Sequence, residues 1–433
     1  MSLLDELSCA ELAERFRDGL PDGLPSSWET DSRVLAAHHL LARQCLERMS
    51  AYPNCFRGRG VVVCAGGHRL FTNAWVAVRV LRHLGCRLPI QFWHLGESEM
   101  DDTMRRLVAA HGVECVDAER LAALWPARRL YGWELKAYAL VHCPFQEVLL
   151  LDADNVALHD PTFLFNTPEY QAVGAIFWPD FSRLEPDRLA WAAFEVDYRD
   201  EPEIESGQLV VDKSRCWPAL QLALHYNEHS DFYYCHVHGD KETFHLAFRR
   251  LGLNYAMPAR GIHALEATMC QHDFQNRRHF QHRNMDKWRY DGRNSHVKGF
   301  HLENLCRDLL AELRLHWSGR VHWSETFTPQ EALLMERWGG GVYMYERVGA
   351  DNRRLELRRD RSVGEGAAER EEFWTITTVG GVPSLVLFGP EGPTCRLTPH
   401  ARGWQGHWYH CERMPIRLRP LDNGEAAEAA QDA

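Results

Sequence analysis

The chain has 433 residues, of which 45% are hydrophobic and 25% charged, a balance that supports a folded core and excludes fibrous and wholly disordered classes. A formal net charge of −11 argues against broad binding to nucleic acid or anionic lipid surfaces. It leaves room for a small anionic ligand, because a few local cations can hold a diphosphate. The 13 cysteines are odd in number and scattered, with no CxxC pair. Several, such as Cys64 and Cys143, sit in apolar runs where a reduced thiol serves as a small hydrophobe.

The N-terminal residues MSLLDELSCAELAERF place acids where a secretory leader needs a basic start and an apolar run. No stretch approaches the ~18 consecutive apolar residues of a membrane span, so a cytoplasmic protein without a transmembrane segment is expected. Residues 1–55 read as a helical segment, broken at Pro21-Asp22-Gly23 and Pro25, with helical apolar spacing over 34–49. That segment offers packing or oligomer contacts and no chemistry, and a homo-oligomer is one assembly open to it.

From Gly60 short apolar runs alternate with helical stretches. Val61-Val62-Val63-Cys64 predicts a buried strand ending at Gly66-Gly67. A helix follows with Phe71, Trp75, Val78 and Leu81 on one face and Gly85 at its end. Strands are predicted at 90–93, 113–116 and 148–151, with a polar helix over 101–111 and another over 135–141. Further strands are predicted at 172–178 and 209–211. Alternation of this kind specifies an α/β domain with a largely parallel sheet, assigned to 56–328. Beyond it, Gly339-Gly340-Gly341-Val342-Tyr343-Met344-Tyr345, Phe373-Trp374-Thr375-Ile376-Thr377 and Leu385-Val386-Leu387-Phe388 predict a small antiparallel β domain over 329–422. Residues 423–433 read as a tail. The chain holds 15 tryptophans, and Trp404-Gln405-Gly406-His407-Trp408 is read as core of the β domain in preference to a sugar platform.

The chemistry concentrates at Leu149-Leu150-Leu151-Asp152-Ala153-Asp154-Asn155-Val156. A buried strand that ends in two carboxylates puts charge at the carboxyl edge of the sheet, where open α/β folds bind ligands. A turn or irregular step after the strand is expected if both carboxylates are to serve one ion. Two hard oxygen donors suit Mg²⁺ or Mn²⁺, which in turn bridges diphosphate oxygens.

With Trp133-Glu134-Leu135-Lys136-Ala137-Tyr138 upstream, and Glu205-Ser206-Gly207-Gln208-Leu209-Val210-Val211-Asp212-Lys213 and Gly239-Asp240-Lys241-Glu242-Thr243-Phe244 downstream, this phrase forms an ordered series. The series resembles GT-A (Rossmann-like, nucleotide-diphospho-sugar) glycosyltransferases. The nearest likeness is the α-mannosyltransferase family best known from fungal Golgi enzymes; a more distant one is to glycogenin-type retaining transferases. It spans about residues 58–305. The resemblance implies Asp152 and Asp154 as metal ligands, with His282 of Phe280-Gln281-His282-Arg283-Asn284-Met285-Asp286-Lys287-Trp288 as the third; His296 and His301 are rivals. It implies Arg283 and Lys287 as partners of the departing diphosphate, and Cys64, Ala65, Gly66, Lys136, Asp152 and Ala153 around the donor. Gln208, Asp240 and Glu205 are the candidates near the reacting sugar, with Gly207 read as opening a strand beneath it. His236-Val237-His238 could pass for a metal pair, but Tyr233, Tyr234 and Cys235 beside it favour β packing.

The implied activity is metal-dependent hexosyl transfer with retention, from GDP-mannose first and UDP-glucose or UDP-galactose next, to a glycan, lipid-linked, peptide or small-molecule acceptor, with Mn²⁺ or Mg²⁺ as cofactor. Two other classes compete. A sugar nucleotidyltransferase would need a Gly-rich loop with Arg and Lys after the first strand, and Cys64-Ala65-Gly66-Gly67-His68-Arg69 lacks that character. A carbohydrate-binding protein would hold glycan without turning over a donor.

Overall fold

The structure, a computed structural model, describes residues 4, 7–21, 24–25, 27–321, 327–368, 371–379, 381–389, 392–408 and 411–421. The predicted tail 423–433 and the Asp22-Gly23 part of the N-terminal break lie outside them.

Strands β1 (Arg59–Cys64), β2 (Ile90–His94), β3 (Val113–Asp117) and β4 (Glu147–Leu151) are joined to β6 (Ala175–Arg183) and β7 (Pro202–Asp212) in one sheet of order β3-β2-β1-β4-β7-β6. The first four pair in parallel through helical crossovers, and β7 and β6 add antiparallel. The predicted strand 172–178 is corrected: helix Pro168–Val173 ends at Gly174, whose φ of 79° takes the left-handed turn open to glycine, and the strand starts at Ala175.

The unbroken apolar runs follow from covered faces on both sides of the sheet. Val148 and Leu150 enter one core layer with Val62, Leu209 and Val211, packed under helices Ser32–Arg48 and Lys213–Glu228. Leu149 and Leu151 enter the other with Val61, Val63 and Val210, under helices Gly67–His83 and Glu303–His316. Trp75 ties those last two helices together by donating its indole N–H to the Leu309 carbonyl at 2.9 Å.

A second, small sheet of order β5-β10-β9-β8 lies beyond the end of β4, built from β5 (Asn155–Ala157), β8 (His263–Leu265), β9 (Thr268–His272) and β10 (Arg278–His282). The C-terminal region is a seven-stranded antiparallel sheet of order β12-β11-β17-β16-β15-β14-β13, with β11 Gly341–Arg347, β12 Asp351–Leu357, β13 Phe373–Val379, β14 Val382–Gly389, β15 Gly392–His400, β16 Gly403–Trp408 and β17 Cys411–Pro420. Bridges Leu357↔Val363 and Ser362↔Phe373 tie one end of each edge strand to residues 362–363, and the strands send side chains into one shared core, so the sheet wraps round as a barrel whose seam is bridged at that end. Tyr345, Leu387, Trp374 and Trp404 fill its interior, which places Trp404 in the core. The described cysteines are all free thiols, and no helix of the described residues is long and apolar enough to cross a membrane.

Because Leu150 is 1% exposed at the centre of the sheet, Leu150→Ala is expected to cost about 2–5 kcal/mol through lost burial and a residual cavity. A lowered thermal midpoint by calorimetry, with unchanged far-ultraviolet circular dichroism at 20 °C (an arbitrary working temperature, roughly that of maximum stability), checks this.

Candidate functional site

The strand β4 stops at Leu151 because the chain turns there: Asn155 N–H donates to the Asp152 carbonyl at 3.1 Å, closing a turn over 152–155. This turn is the irregular step expected, and it holds the two carboxylates within reach of one ion. Two neighbours then fix the turn. Asp152 N–H donates to the Gly207 carbonyl of β7 at 2.8 Å, and Arg283 N–H donates to the Asp154 carbonyl at 3.0 Å. The β5–β10 register pairs Asn155 with His282, and so sets His282 against Asp154. Asp152, Asp154 and His282 each offer a ligand atom, and these atoms all lie within 4.8 Å of one another. His282 Nε2 is 3.1 Å from an Asp154 oxygen and 3.8 Å from Asp152. The rivals lie elsewhere: His296 is paired with Glu303 on the exposed side, and the main chain of His301 is bonded to Gln281.

Cations surround the acids. Lys136 is 6% exposed. Its ammonium sits 2.8 Å from Asp152 and 3.4 Å from Asp240 and donates to Ser206 Oγ at 3.3 Å. Lys287 pairs with Asp154. Burial opposes the Asp154 charge, but His282 and Lys287 outweigh it and hold the carboxyl below its usual range. Burial likewise opposes a charged His282, yet Asp154 and Glu205 raise it to about 10. Asp240 is raised by burial, partly offset by Lys136.

Glu205 faces the other ring nitrogen of His282 at 3.2 Å and accepts from Gly207 N–H at 2.8 Å and from Gln208 Nε2 at 3.2 Å. A carboxylate in that position orients a ligating imidazole. Gly207 lies inside β7, not at its start as the sequence suggested. The glycine is needed because a Cβ there would sit 2.5 Å from His282 Nδ1.

A cavity of about 300 Å³ opens at the carboxyl ends of β1 and β4. Cys64, Gly66, Lys136, Asp152, Ala153, Asp154 and Lys287, all predicted around the donor or metal, line it. Ala65 lies behind it, fully buried.

Four of the predicted site residues lie off the cavity wall. Arg283 is buried and turned away: its guanidinium lies over the Trp288 ring, 4.0 Å to the centroid, and bonds Asp286. Gln208 is fully buried, its amide oxygen accepting from Asn155 at 2.6 Å; it joins two strands and does not line the cavity. Neither does Glu205, which serves His282, nor Asp240, which stands behind Lys136. The His236–His238 neighbourhood is no strand: Ser230–Tyr233 is a helical turn.

Sequence reasoning missed Arg69, Glu99 and Trp133, which also line the cavity. Arg69 belongs to the first turn of the helix after Gly66-Gly67, where N-terminal amides favour anions; that position was the available signal. Trp133 is 41% exposed, and its indole lies where a Cβ on Gly239 would come within 2.6 Å of it. Nothing local marked Glu99. Burial raises it to about 7, offset in part by the Leu95 N–H it accepts at 2.7 Å.

Comparison with known proteins identifies the family. The mannosyltransferase family Mannosyl_trans3 matches residues 58–203 and 193–285. The chain belongs to that family. As a member it is 25% identical over 266 residues to alpha-1,2-mannosyltransferase MNN21 of Candida albicans, covering 48% of this chain and 40% of that one. It is 24% identical over 277 residues to alpha-1,2-mannosyltransferase MNN2 of Saccharomyces cerevisiae, covering 51% and 46%. The matches thus span less than half the length of these relatives. Among solved structures, the galactosyltransferase LgtC with donor and acceptor sugar analogues is similar at 16% identity and a TM-score of 0.33, covering 46% of this chain and 73% of that one. Mouse xyloside xylosyltransferase 1 is similar at 14% identity and a TM-score of 0.33, covering 46% and 84%.

Two outcomes are expected here. Gly207→Ala should push His282 off Asp154 and cost about 1–3 kcal/mol by overpacking, seen as a lower thermal midpoint together with weaker Mn²⁺ binding in calorimetric titration. Glu99, raised from 4.5 to about 7 in the fold, stabilises the native state most below pH 4.5, and that contribution is lost as pH rises through about 7. Glu99→Gln should therefore flatten the stability profile between those values, as read from denaturation midpoints across pH.

Proposed function

We propose that the protein is a divalent-cation-dependent hexosyltransferase that draws on a nucleotide-sugar donor and retains anomeric configuration. The observation that carries this reading is the Asp152–Asp154–His282 cluster, whose two carboxylates line the cavity. The family membership and the alpha-1,2-mannosyltransferase names of the relatives support mannose from GDP-mannose as the first donor, with UDP-glucose and UDP-galactose next. The acceptor is a hydroxyl of a glycan, peptide or small molecule.

The residues fit such a cation. Two carboxylates and an imidazole converge, and the anionic excess is large enough to draw Lys136, Lys287 and a protonated His282 onto it. Asp152, Asp154 and His282 would hold Mn²⁺ or Mg²⁺, which when bound supplies Lewis-acid stabilisation to the diphosphate leaving group. Glu205 keeps the His282 ring oriented. Lys287 and Lys136 hold positive charge at the cavity wall where negative charge develops on the leaving oxygen. The amides at Gly66-Gly67 open the helix that faces the same space. In the transfer, the bond from the anomeric carbon to the β-phosphate oxygen breaks and a bond to the acceptor oxygen forms. The acceptor's proton passes to the departing phosphate on the same face. Among the described residues, the carboxylates that line the cavity are Asp152, Asp154 and Glu99.

The test is donor hydrolysis by the purified chain across GDP-mannose, UDP-glucose and UDP-galactose, with Mn²⁺ or with chelator, beside Asp154→Asn. Cation-dependent release of one nucleoside diphosphate, reduced at least about 100-fold in the variant, is expected, since loss of even a group that orients a ligand costs about 10–100-fold. Donor neither cleaved nor bound with any cation would replace this reading with a carbohydrate-binding one.

A further inference from the structure

The barrel lies outside the family-matched residues 58–285, yet it meets the α/β domain at the cavity. Pro393 of β15 is one of the lining residues. Three residues on, Arg396 forms an ion pair with Glu119, both side chains being largely buried. The same guanidinium lies over the Tyr131 ring, 5.1 Å from its centroid. On the next strand His407 accepts from Arg129 at 3.2 Å, and its ring is 6.1 Å from that of Tyr131.

These contacts bear on two walls of the cavity. Tyr131 immediately precedes Gly132 and Trp133, which line it, and leads into the helix Glu134–His142 that presents Lys136. Glu119 lies against the turn after β2: a Cβ on Gly96 would collide with its carboxylate. That turn carries Leu95 and Glu99 to the cavity. Charge points the same way. Burial raises both Glu99 and Glu119; Glu119 and Asp117 add to this for Glu99 and Asp117 for Glu119, while Arg396 opposes it for both. Removing one partner of a buried pair strands the other's charge, here beside a site meant for an anion.

We infer that the barrel is part of the donor site, with Arg396 the positioning residue that fixes the walls 95–99 and 131–133 and neutralises the acids beneath them so that a nucleoside diphosphate can enter. This rests on the nucleotide-sugar reading above. It assigns the barrel a role in donor affinity and not only in acceptor binding or stability.

Calorimetric titration of GDP and of UDP, each with Mn²⁺, tests it on the full chain and on Arg396→Ala, Arg396→Lys, Arg396→Glu and Arg396→Glu combined with Glu119→Arg. Whichever diphosphate the unaltered chain binds, Arg396→Ala should weaken it at least about fivefold, the lower range of a coupling between separate sites. Arg396→Lys should retain most of the affinity, and the exchanged pair should bind more tightly than Arg396→Glu alone. In turnover with the cleaved donor, KM should rise while kcat holds. Unchanged affinity in Arg396→Ala overturns the inference. Should Arg396→Ala fail to fold, equal affinity in Arg396→Glu and the exchanged pair overturns it instead. If the unaltered chain binds neither diphosphate, the nucleotide-sugar reading itself falls, an outcome distinct from the first.

Discussion

The site depends on one constraint: the turn over 152–155 is pinned from both sides by main-chain hydrogen bonds. Gly207 of β7 holds Asp152, and Arg283 at the end of β10 holds Asp154. Neither bond involves a side chain, so the acids are placed by backbone register before any charge is considered. Register is strongly specified wherever strand faces are buried, because a one-residue slip turns every side chain over. The double-sided burial of β4 thus passes directly into the spacing of the carboxylates. Without the turn, acids two positions apart on an extended chain would share a face but stand roughly 7 Å apart along it.

Such a concentration of acid must be compensated. Asp152, Asp154, Glu205 and Asp240 lie together, all but Asp152 nearly out of solvent. Buried carboxylates persist only when paired and hydrogen-bonded. Lys136 answers Asp152 and Asp240, Lys287 answers Asp154, and His282 answers Asp154 and Glu205. Asn155 and Gln208 then complete the network by bonding each other, with Asn155 also serving the Gly207 carbonyl. That explains the burial of Gln208. Its amide saturates polar groups between β5, β7 and Glu205, and so fixes the strand that carries Gly207.

The barrel enters the same account through charge. The acids after β2 and β3 would by themselves set a negative wall near the cavity, and the counter-ion comes from β15, over 270 residues along the chain from Glu119, as the 277-residue separation of Arg396 and Glu119 shows. Aromatic contact with Tyr131 makes the same arginine a mechanical support for the approach to Lys136. A β domain outside the family match is in this way tied to the chemistry of the α/β domain.

Much of this was legible in the residues. Apolar runs of four with Gly or acid at their ends specified the strands β1 and β4, and their two-sided hydrophobicity specified a covered sheet, because burial on both faces is written locally. The Asp152–Asp154 pair at a strand end located the site for the same reason, whereas Lys136 came only from the family resemblance. What the sequence could not determine is every relation that depends on pairing between distant strands. The choice of His282 over His296 and His301 is made by the β5–β10 register. The inward burial of Lys136 and the withdrawal of Arg283 onto Trp288 are decided by which face each element presents after packing, and Arg283 and Lys287 carry the same charge only four residues apart. Glu99, Trp133 and Arg396 bear no local mark of function; Glu99 and Trp133 line the cavity, and Arg396 braces its walls, only because segments distant in the chain pack together there.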